Sequence, residues 1–468
     1  MAINNLTNHE FYTRLNTVVR PAAPISTFEL LFGREKQINA IESVLYSDGR
    51  SVFIYGDRGV GKTSLAHTVA YKLQEENEPI LVGCEPSSTL LSIVKDILIK
   101  AKPQKGINKE ETLSVGFNLL GINASRTVKN TNNNNNSITD VNTISSAVFA
   151  LDVLTKIHSS CPFIVIDEFD QIESQEERQN FGRLVKALGD QNIKVKLIFT
   201  GISDSLHSLI GGHLSSERQI HQTHLEALPW NGRFKIIDNA FNEFNIKVDD
   251  DIRYKIAGLS DGFPHYVHLL CEKILTCAFI STKNITEIKH DIFLEGLDDA
   301  VNSISETLKH DYVNATTGRR EYFHHLLWAM GDSADLQREK KTIKHSYTEM
   351  CKQKSWSMLD DKQFDRQFNK LKTEPFGSIV VDAFDGRKGW YKFKENMIRG
   401  YVRMLAEING VTLDFARNFT AGEPTVRHVG VRTSTYRPLT TVEERSYRME
   451  IREAKNNKND KKENKEEK

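Results

Sequence analysis

The chain is predicted to be an α/β protein built on a parallel sheet, and three observations carry that expectation. Ser51–Tyr55 is a β-branched and aromatic run that passes through a glycine-rich turn into residues with helical spacing. Pro162-Phe163-Ile164-Val165-Ile166-Asp167-Glu168-Phe169-Asp170 is a second apolar run, and it ends in carboxylates. Between and after these, strand and helix patterns alternate: a helix from Lys62 to about Glu75, a strand over Pro79–Gly83, helices over Leu90–Ile99 and Ser145–Ile157, a helix from Gln175 to Leu188, and a strand over Val195–Gly201. That alternation is the signature of a parallel sheet with helices on its faces.

The glycine-rich turn is Gly56-Asp57-Arg58-Gly59-Val60-Gly61-Lys62-Thr63, followed by Ser64. Its spacing is that of a phosphate loop. The glycines let backbone N–H groups turn inward around a polyphosphate, Lys62 reaches the outer phosphates, and the Thr63 hydroxyl is suited to ligate Mg²⁺. The helix that starts there points its positive end at the same anion. About one hundred residues later, the second run delivers Asp167 and Glu168 to the carboxyl edge of the sheet, where open α/β sheets bind ligands. Asp167 suits the Mg²⁺ shell, and Glu168 suits the polarisation of an attacking water as general base. Thr200 ends the following strand, where a hydroxyl can bond the γ-phosphate or that water.

On Gly56–Thr63, Asp167-Glu168 and Thr200 the chain resembles the ASCE class of P-loop ATPases, and within it the AAA+ and STAND families, over roughly residues 26–300. The resemblance implies a P-loop ATPase core binding ATP and Mg²⁺, with a helical lid. Gly33-Arg34, about twenty residues before the loop, resembles the element that lies over the adenine base in these families; a plain helix start is the alternative. Gly262-Phe263-Pro264-His265 stands where STAND ATPases carry a Gly-x-Pro that closes the lid on nucleotide, and no arginine sensor is present there. This departure favours STAND-like or origin-recognition-like relatives. Arg218 falls where many AAA+ ATPases supply an arginine to a neighbouring subunit's γ-phosphate, which makes a homo-oligomer part of the expectation; a solvated surface arginine is the alternative.

From about residue 308 the order becomes helix (Arg320–Met330), helix (Thr342–Gln353), helix (Asp361–Leu371), then a hairpin around Asp385-Gly386-Arg387-Lys388-Gly389. That order resembles a winged helix. Arg366, Lys370, Arg387 and Lys388 would be its DNA contacts, although residues 361–400 hold only nine Lys and Arg against six acids. A protein partner or an interdomain spacer fits the same unit.

The expected organisation is an N-terminal arm lying on a surface over 1–25, a P-loop core over 26–225 with an insertion at 104–138, a helical lid over 226–306, a winged-helix-like domain over 307–410, and an extension over 411–468. The insertion contains an asparagine-rich run, and the end from Lys455, with six lysines and four acids, is expected to be disordered. Asn457-Lys458-Asn459-Asp460 matches a guanine-reading pattern, but it follows no strand, so ATP is the expected nucleotide. Lys and Arg balance Asp and Glu at 62 each, which excludes a net pull toward nucleic acid or anionic lipid. Five cysteines without a Cys-x-x-Cys pair point to reduced thiols, and the absence of a long apolar run or leader pattern points to a cytoplasmic protein without membrane contact. Two functions stay open: an ATP-driven switch coupling nucleotide state to lid and winged-helix movement, and a DNA-binding loader or regulator.

Overall fold

Five strands make the central sheet, the first four carrying apolar side chains on both faces: β1 (Ser51–Tyr55), β2 (Ile80–Gly83), β3 (Phe163–Asp167), β4 (Lys196–Gly201) and the more polar β5 (Ile220–His224). All are parallel, in the order β2-β3-β4-β1-β5. The register sets Ile54 beside Thr200 and Ile166 beside Phe199, so the carboxyl ends of β1, β4 and β3 lie in a row. At a strand spacing of about 4.8 Å, the residues leaving those three ends are within side-chain reach of one another.

The computed structural model describes residues 3–102, 143–210, 218–383 and 388–416, all within one compact unit, Met1–Phe419. The expected insertion at 104–138, the turn residue Arg387 and the charged end from Lys455 lie outside the described residues. The first 25 residues differ from the expected surface arm. They form a helix, α1 (Asn8–Val18), closed by a capping box in which the Glu10 N–H donates to Thr7 Oγ1 at 3.3 Å and the Thr7 N–H donates to Glu10 Oε2 at 2.8 Å. Phe11, Leu15 and Val18 are buried. The Phe11 ring stacks on Phe279 at 4.1 Å, and Asn4 Nδ2 donates to the carbonyls of Ala278 and Ser281. Scattered hydrophobics at helical spacing are here an inward stripe, and the arm is part of the core.

Helices α2 (Glu35–Leu45) and α3 (Lys62–Leu73) cover one face of the sheet, packing Ile38, Ile41, Leu65 and Val69 against Val52, Ile54 and Ile198. The other face carries α4 (Leu90–Lys100), α5 (Ile144–Ile157), α6 (Gln175–Asp190) and α7 (Ser203–Ile210). There Phe53, Phe169, Phe181 and Phe199 form a cluster of edge and stacked contacts. Because side chains alternate along a strand, Phe53 and Ile54 feed opposite cores.

Beyond the sheet come α8 (Trp230–Asn242), α9 (Asp250–Leu259), α10 (Pro264–Ile280) and α11 (His290–Ser303), with a short parallel pair, β6 (Lys247–Val248) and β7 (Glu287–Ile288). Then follow α12 (Glu306–Thr316), α13 (Tyr322–Gly331), β8 (Arg338–Glu339), α14 (Lys340–Lys354), α15 (Asp361–Lys370) and the strands β9 (Val380–Asp382) and β10 (Trp390–Phe393). β10 pairs antiparallel with both β9 and β8. The expected three helices and hairpin are therefore present in that order, with β8 added to the hairpin. A last helix, α16 (Asn396–Ile408), is buried along most of its length.

Replacing Phe11 by Ala removes a fully buried ring, so a loss of about 3–5 kcal/mol is expected. Urea unfolding of the full chain measures it; a change below about 1 kcal/mol, within surface-substitution range, would mean that α1 is peripheral.

Candidate active site

The row of strand ends builds the site around one oxygen. Asp167 Oδ1, at the end of β3, accepts from the Thr63 hydroxyl at 3.0 Å, from the Glu168 N–H at 3.1 Å and from the Thr200 hydroxyl by a short bond. The Glu168 N–H also reaches Thr200 Oγ1 at 3.1 Å. Three residues from three elements are thereby fixed to a single carboxylate. Glu168 itself adopts φ +54°, a left-handed conformation that costs a non-glycine residue about 1–2 kcal/mol. The conformation leaves its side chain exposed on the edge of the cleft.

That cleft has a volume of about 600 Å³. Its walls include Asp57, Arg58, Gly59, Gly61, Lys62, Thr63 and Ser64 of the loop, Glu168, Asp170 and Gln171 after β3, and Thr200. Lys62 Nζ donates to the carbonyls of Gly56 at 3.0 Å and Asp57 at 2.8 Å. Burial pulls its ammonium below the ordinary lysine value, while Asp170, Asp57, Asp167 and Glu168 oppose the fall. Asp170 is the first of these carboxylates, and the sequence reading gave it no role. The Thr63 hydroxyl and Asp167 carboxylate are hard oxygen donors, 3.0 Å apart. They fit Mg²⁺, which uses one or two protein oxygens and takes the rest of its shell from water and phosphate. No group of three or more metal-ligating side chains occurs among the described residues, so a closed, all-protein metal cage is absent from them.

The N-terminal half of the opposite wall was not anticipated. The segment Arg20–Ile25 lines the cleft, tied to α3 by the Ile25 N–H donating to Ser64 Oγ at 3.1 Å and to α10 by His265 Nδ1 against the Pro21 carbonyl at 2.8 Å. Pro264, His265 and His268 of α10 complete that wall, and Glu395 enters from the residue before α16. Pro264 therefore stands at the cleft as expected from position, close to Gly61. The Thr7-x-x-Glu10 box and the helical spacing of Phe11, Leu15 and Val18 were the local signals of a helix here.

Other expected residues lie elsewhere. Gly33 packs on Gly232, where a Cβ would stand 2.8 Å from the Gly232 Cα, and Arg34 is buried, donating to the carbonyls of Val60 at 3.0 Å and Glu226 at 2.7 Å. Neither lines the cleft; Arg34 braces the phosphate loop against the segment after β5. Burial lowers its guanidinium to about 10, with Glu226 opposing the fall. Gly56 and Val60 do not line the cleft, and their carbonyls accept from Lys62 and Arg34. Arg218 is exposed just before β5, whose first residue, Ile220, pairs with Ser51 at the start of β1. It sits at the sheet edge away from its own cleft, a strand length of roughly 17 Å at about 3.3 Å per residue. Arg366 and Lys388 are exposed and Lys370 half-buried, remote in sequence from every cleft residue but Glu395.

The start of α16 rests on the phosphate loop. Asn396 Nδ2 donates to Asp57 Oδ2 at 2.7 Å, and Met397 lies so close to Gly59, which has φ +83°, that a Cβ there would stand 2.6 Å from the thioether sulfur. One turn later, Arg399 and Arg403 both pair with Asp261, in the turn before α10, and all three are almost fully buried. Burial alone would raise the Asp261 carboxyl, but Arg399, Arg403 and Arg233 outweigh it and hold it below the ordinary aspartate value.

Residues 30–198 match the model of a family described as AAA ATPase domain. Over those residues the chain is similar to a P-loop, AAA+-like ATPase domain. Solved structures similar to the whole include a Walker-type ATPase of Pyrococcus abyssi (14% identity, 82% of this chain and 99% of that one, TM-score 0.48). Others are the Aeropyrum pernix ORC1 protein solved in complex with DNA (15%, 81% and 93%, 0.40) and the RuvB Holliday junction branch migration motor of Thermotoga maritima (13%, 83% and 98%, 0.39). Likeness at this level assigns neither activity nor partner. No curated protein matches the sequence. Among the described residues, no helix is long and apolar enough to cross a membrane.

Asp261→Ala leaves two buried guanidiniums without their carboxylate, and the protein should lose about 3–5 kcal/mol in urea unfolding. The sign with pH follows from the depressed carboxyl. The Asp261 contribution is complete above about pH 4, the unfolded aspartate value, and is lost as pH falls through the lower folded value, so the wild-type and Ala curves should converge only in acid.

Proposed function

We propose that the chain is an ATP-binding and ATP-hydrolysing switch in which the state of the cleft is passed to the C-terminal helices and hairpin through α16. The observation that carries this reading is the seating of Asn396 and Met397 on Asp57 and Gly59. A loop that wraps a polyphosphate cannot change its course there without moving the start of α16. α16 is itself bound to the lid by the Asp261 ion pairs and by the Tyr266 hydroxyl, which donates to the Met397 carbonyl at 3.1 Å.

Within this reading Lys62 exchanges its two carbonyl partners for outer phosphate oxygens. Thr63 and Asp167 would hold Mg²⁺, which would supply neutralisation of phosphate charge. Thr200, already bonded to Asp167 and to the Glu168 N–H, keeps the Glu168 backbone in place, and the exposed Glu168 carboxylate takes a proton from the attacking water. Arg218 enters only in an assembly, completing the site of a neighbouring copy. The DNA reading has less support. Asp365 and Asp361 on α15 pair with Lys340 and Lys344, so acids interrupt the cations a continuous phosphate-binding stripe would need.

Lys62→Ala should abolish measurable ATP binding in calorimetry, and retention of wild-type affinity would sink the phosphate-loop assignment. Glu168→Gln should bind ATP normally yet lose turnover by at least the ~10²-fold typical of a general base, and unchanged turnover would move the base elsewhere.

The coupling has its own readout. In the wild type, amide hydrogen exchange over Asn396–Ile408 should differ between ATP-bound and nucleotide-free protein, and Asn396→Ala should reduce the difference. Identical exchange in the two states would leave an ATPase without this switch.

A further inference from the structure

A second cavity, of about 470 Å³, shares no lining residue with the cleft. It lies among α12, α13, α16 and the residues just after α14, and ring-bearing side chains border it in an unbroken series of contacts. Tyr401 of α16 meets Tyr312 of α12 edge to face at 5.4 Å, and Tyr312 meets His324 of α13 at 5.6 Å. His324 lies 5.8 Å from Trp328, and Trp328 lies 6.0 Å from the half-buried Trp356, whose ring stacks on His325 at 3.7 Å. The space these rings enclose falls in the range of small-molecule sites.

The charge around that space has one sign. Among the described residues that line it none is Lys or Arg, and the exposed Glu321 carboxylate has no ion-pair partner. Burial lowers His325 to about 4 and His324 below the ordinary histidine value, against the opposing pull of Glu321, so both rings are neutral at pH 7. Thr316 and Thr317 at the end of α12, and Leu405 and Asn409 at the end of α16, also line the cavity, which places the negative ends of two helix dipoles beside it. The neighbouring Arg319 is engaged elsewhere, over the Phe376 ring at 3.6 Å and on the Asn314 carbonyl at 2.9 Å.

An anion finds nothing to meet in such a cavity. A compact ammonium would lose water that ring faces do not replace, because its charge is concentrated and strongly hydrated. Alkylation spreads the charge and weakens the hydration, so that the head group lies against aromatic faces at little cost.

We propose that this cavity binds an organic cation with an alkylated ammonium head group, held against the faces of Trp356 and its neighbouring rings and balanced by Glu321. Free choline-type compounds and methylated lysine side chains share that chemistry. The site is separate from the cleft, and its occupancy does not depend on what the phosphate loop holds.

The test is calorimetric titration of the full chain with choline, with its uncharged carbon isostere 3,3-dimethylbutan-1-ol, and with Nα-acetyl-Nε-trimethyllysine methylamide. The proteins are the wild type, Trp356→Ala, Trp356→Phe and Glu321→Gln, each checked for folding by circular dichroism. At least one of the two cations should saturate the wild type, with the alcohol bound about tenfold more weakly or worse. Trp356→Ala should weaken that cation by about fivefold or more, and Trp356→Phe, which keeps a ring face, should recover part of the loss. Glu321→Gln should weaken it by about fivefold at low salt, through the lost charge. Tighter choline binding assigns the site to a free metabolite, and tighter binding of the lysine derivative assigns it to a protein side chain. Equal affinity for the alcohol would overturn the proposal by making the cavity an apolar site. No saturation by either cation up to about 100 mM would overturn it as well, since binding that weak falls short of the roughly 4 kcal/mol that corresponds to 1 mM. Cation binding untouched by both Trp356→Ala and Glu321→Gln would place the ligand elsewhere and refute the site.

Discussion

The buried charge cluster around Asp261 is the interaction on which the rest of the arrangement depends. Asp261 faces Arg399 and Arg403, with Arg233 nearby and the buried Asp332 adding a weaker pull on Arg403, so three guanidiniums meet two carboxylates in an interior where each unpaired ion costs several kcal/mol. Backbone carbonyls make up the deficit. Arg403 donates to the carbonyls of Gly331, Gly258 and Ser333, and Arg399 to those of Ser333, Ala334 and Asp335. Burial still lowers Arg403 to about 9, mainly against the pull of Asp261. Satisfying these guanidiniums takes a turn before α10, the loop after α13 and α16 together, so their relative placement is specified by geometry that apolar packing alone would leave loose.

With α16 held in that way, its first turn has one place to go, and that place is the phosphate loop. The contact between residues 57–59 and 396–397 joins Asp57 to Asn396, 339 residues apart in the chain, yet it consists of one side-chain hydrogen bond and one thioether against a glycine. Such a contact is weak beside the buried ion pairs behind it. The strong element sets the position, and under the proposed switch the weak element would do the sensing, so that a modest change at the loop could be felt without breaking the buried ion pairs.

How much of this could be read from the chain depends on how local each feature is. The phosphate loop, the Asp167-Glu168 pair and the Thr200 strand were legible because each lies within one continuous strand and its exit, where hydrophobic period and glycine spacing are sufficient. β5 was missed because Ile220-His-Gln-Thr-His224 is an edge strand with only Ile220 and Thr223 buried, too polar to register as a run. The assignment of Arg34 failed for a different reason. Its neighbours in space, Val60 and Glu226, are far away in sequence, so nothing near it indicated a buried brace. Asp170, Glu395 and His268 reach the cleft only through the fold, and a residue's own surroundings in the chain do not carry that information.

The docking of the N-terminal segment bears on how the molecule is made. Asn4 bonds carbonyls more than 270 residues away, Phe11 stacks on Phe279, and Pro21 meets His265. During synthesis the first 25 residues leave the ribosome long before any of these partners exists, while the sheet residues between them are already competent to collapse. The wall that completes the cleft must therefore be folded back onto a domain that is largely formed. Until residues near 285 have emerged, the phosphate loop stands open on that side, which makes the closing of the cleft a late event in the life of each new chain.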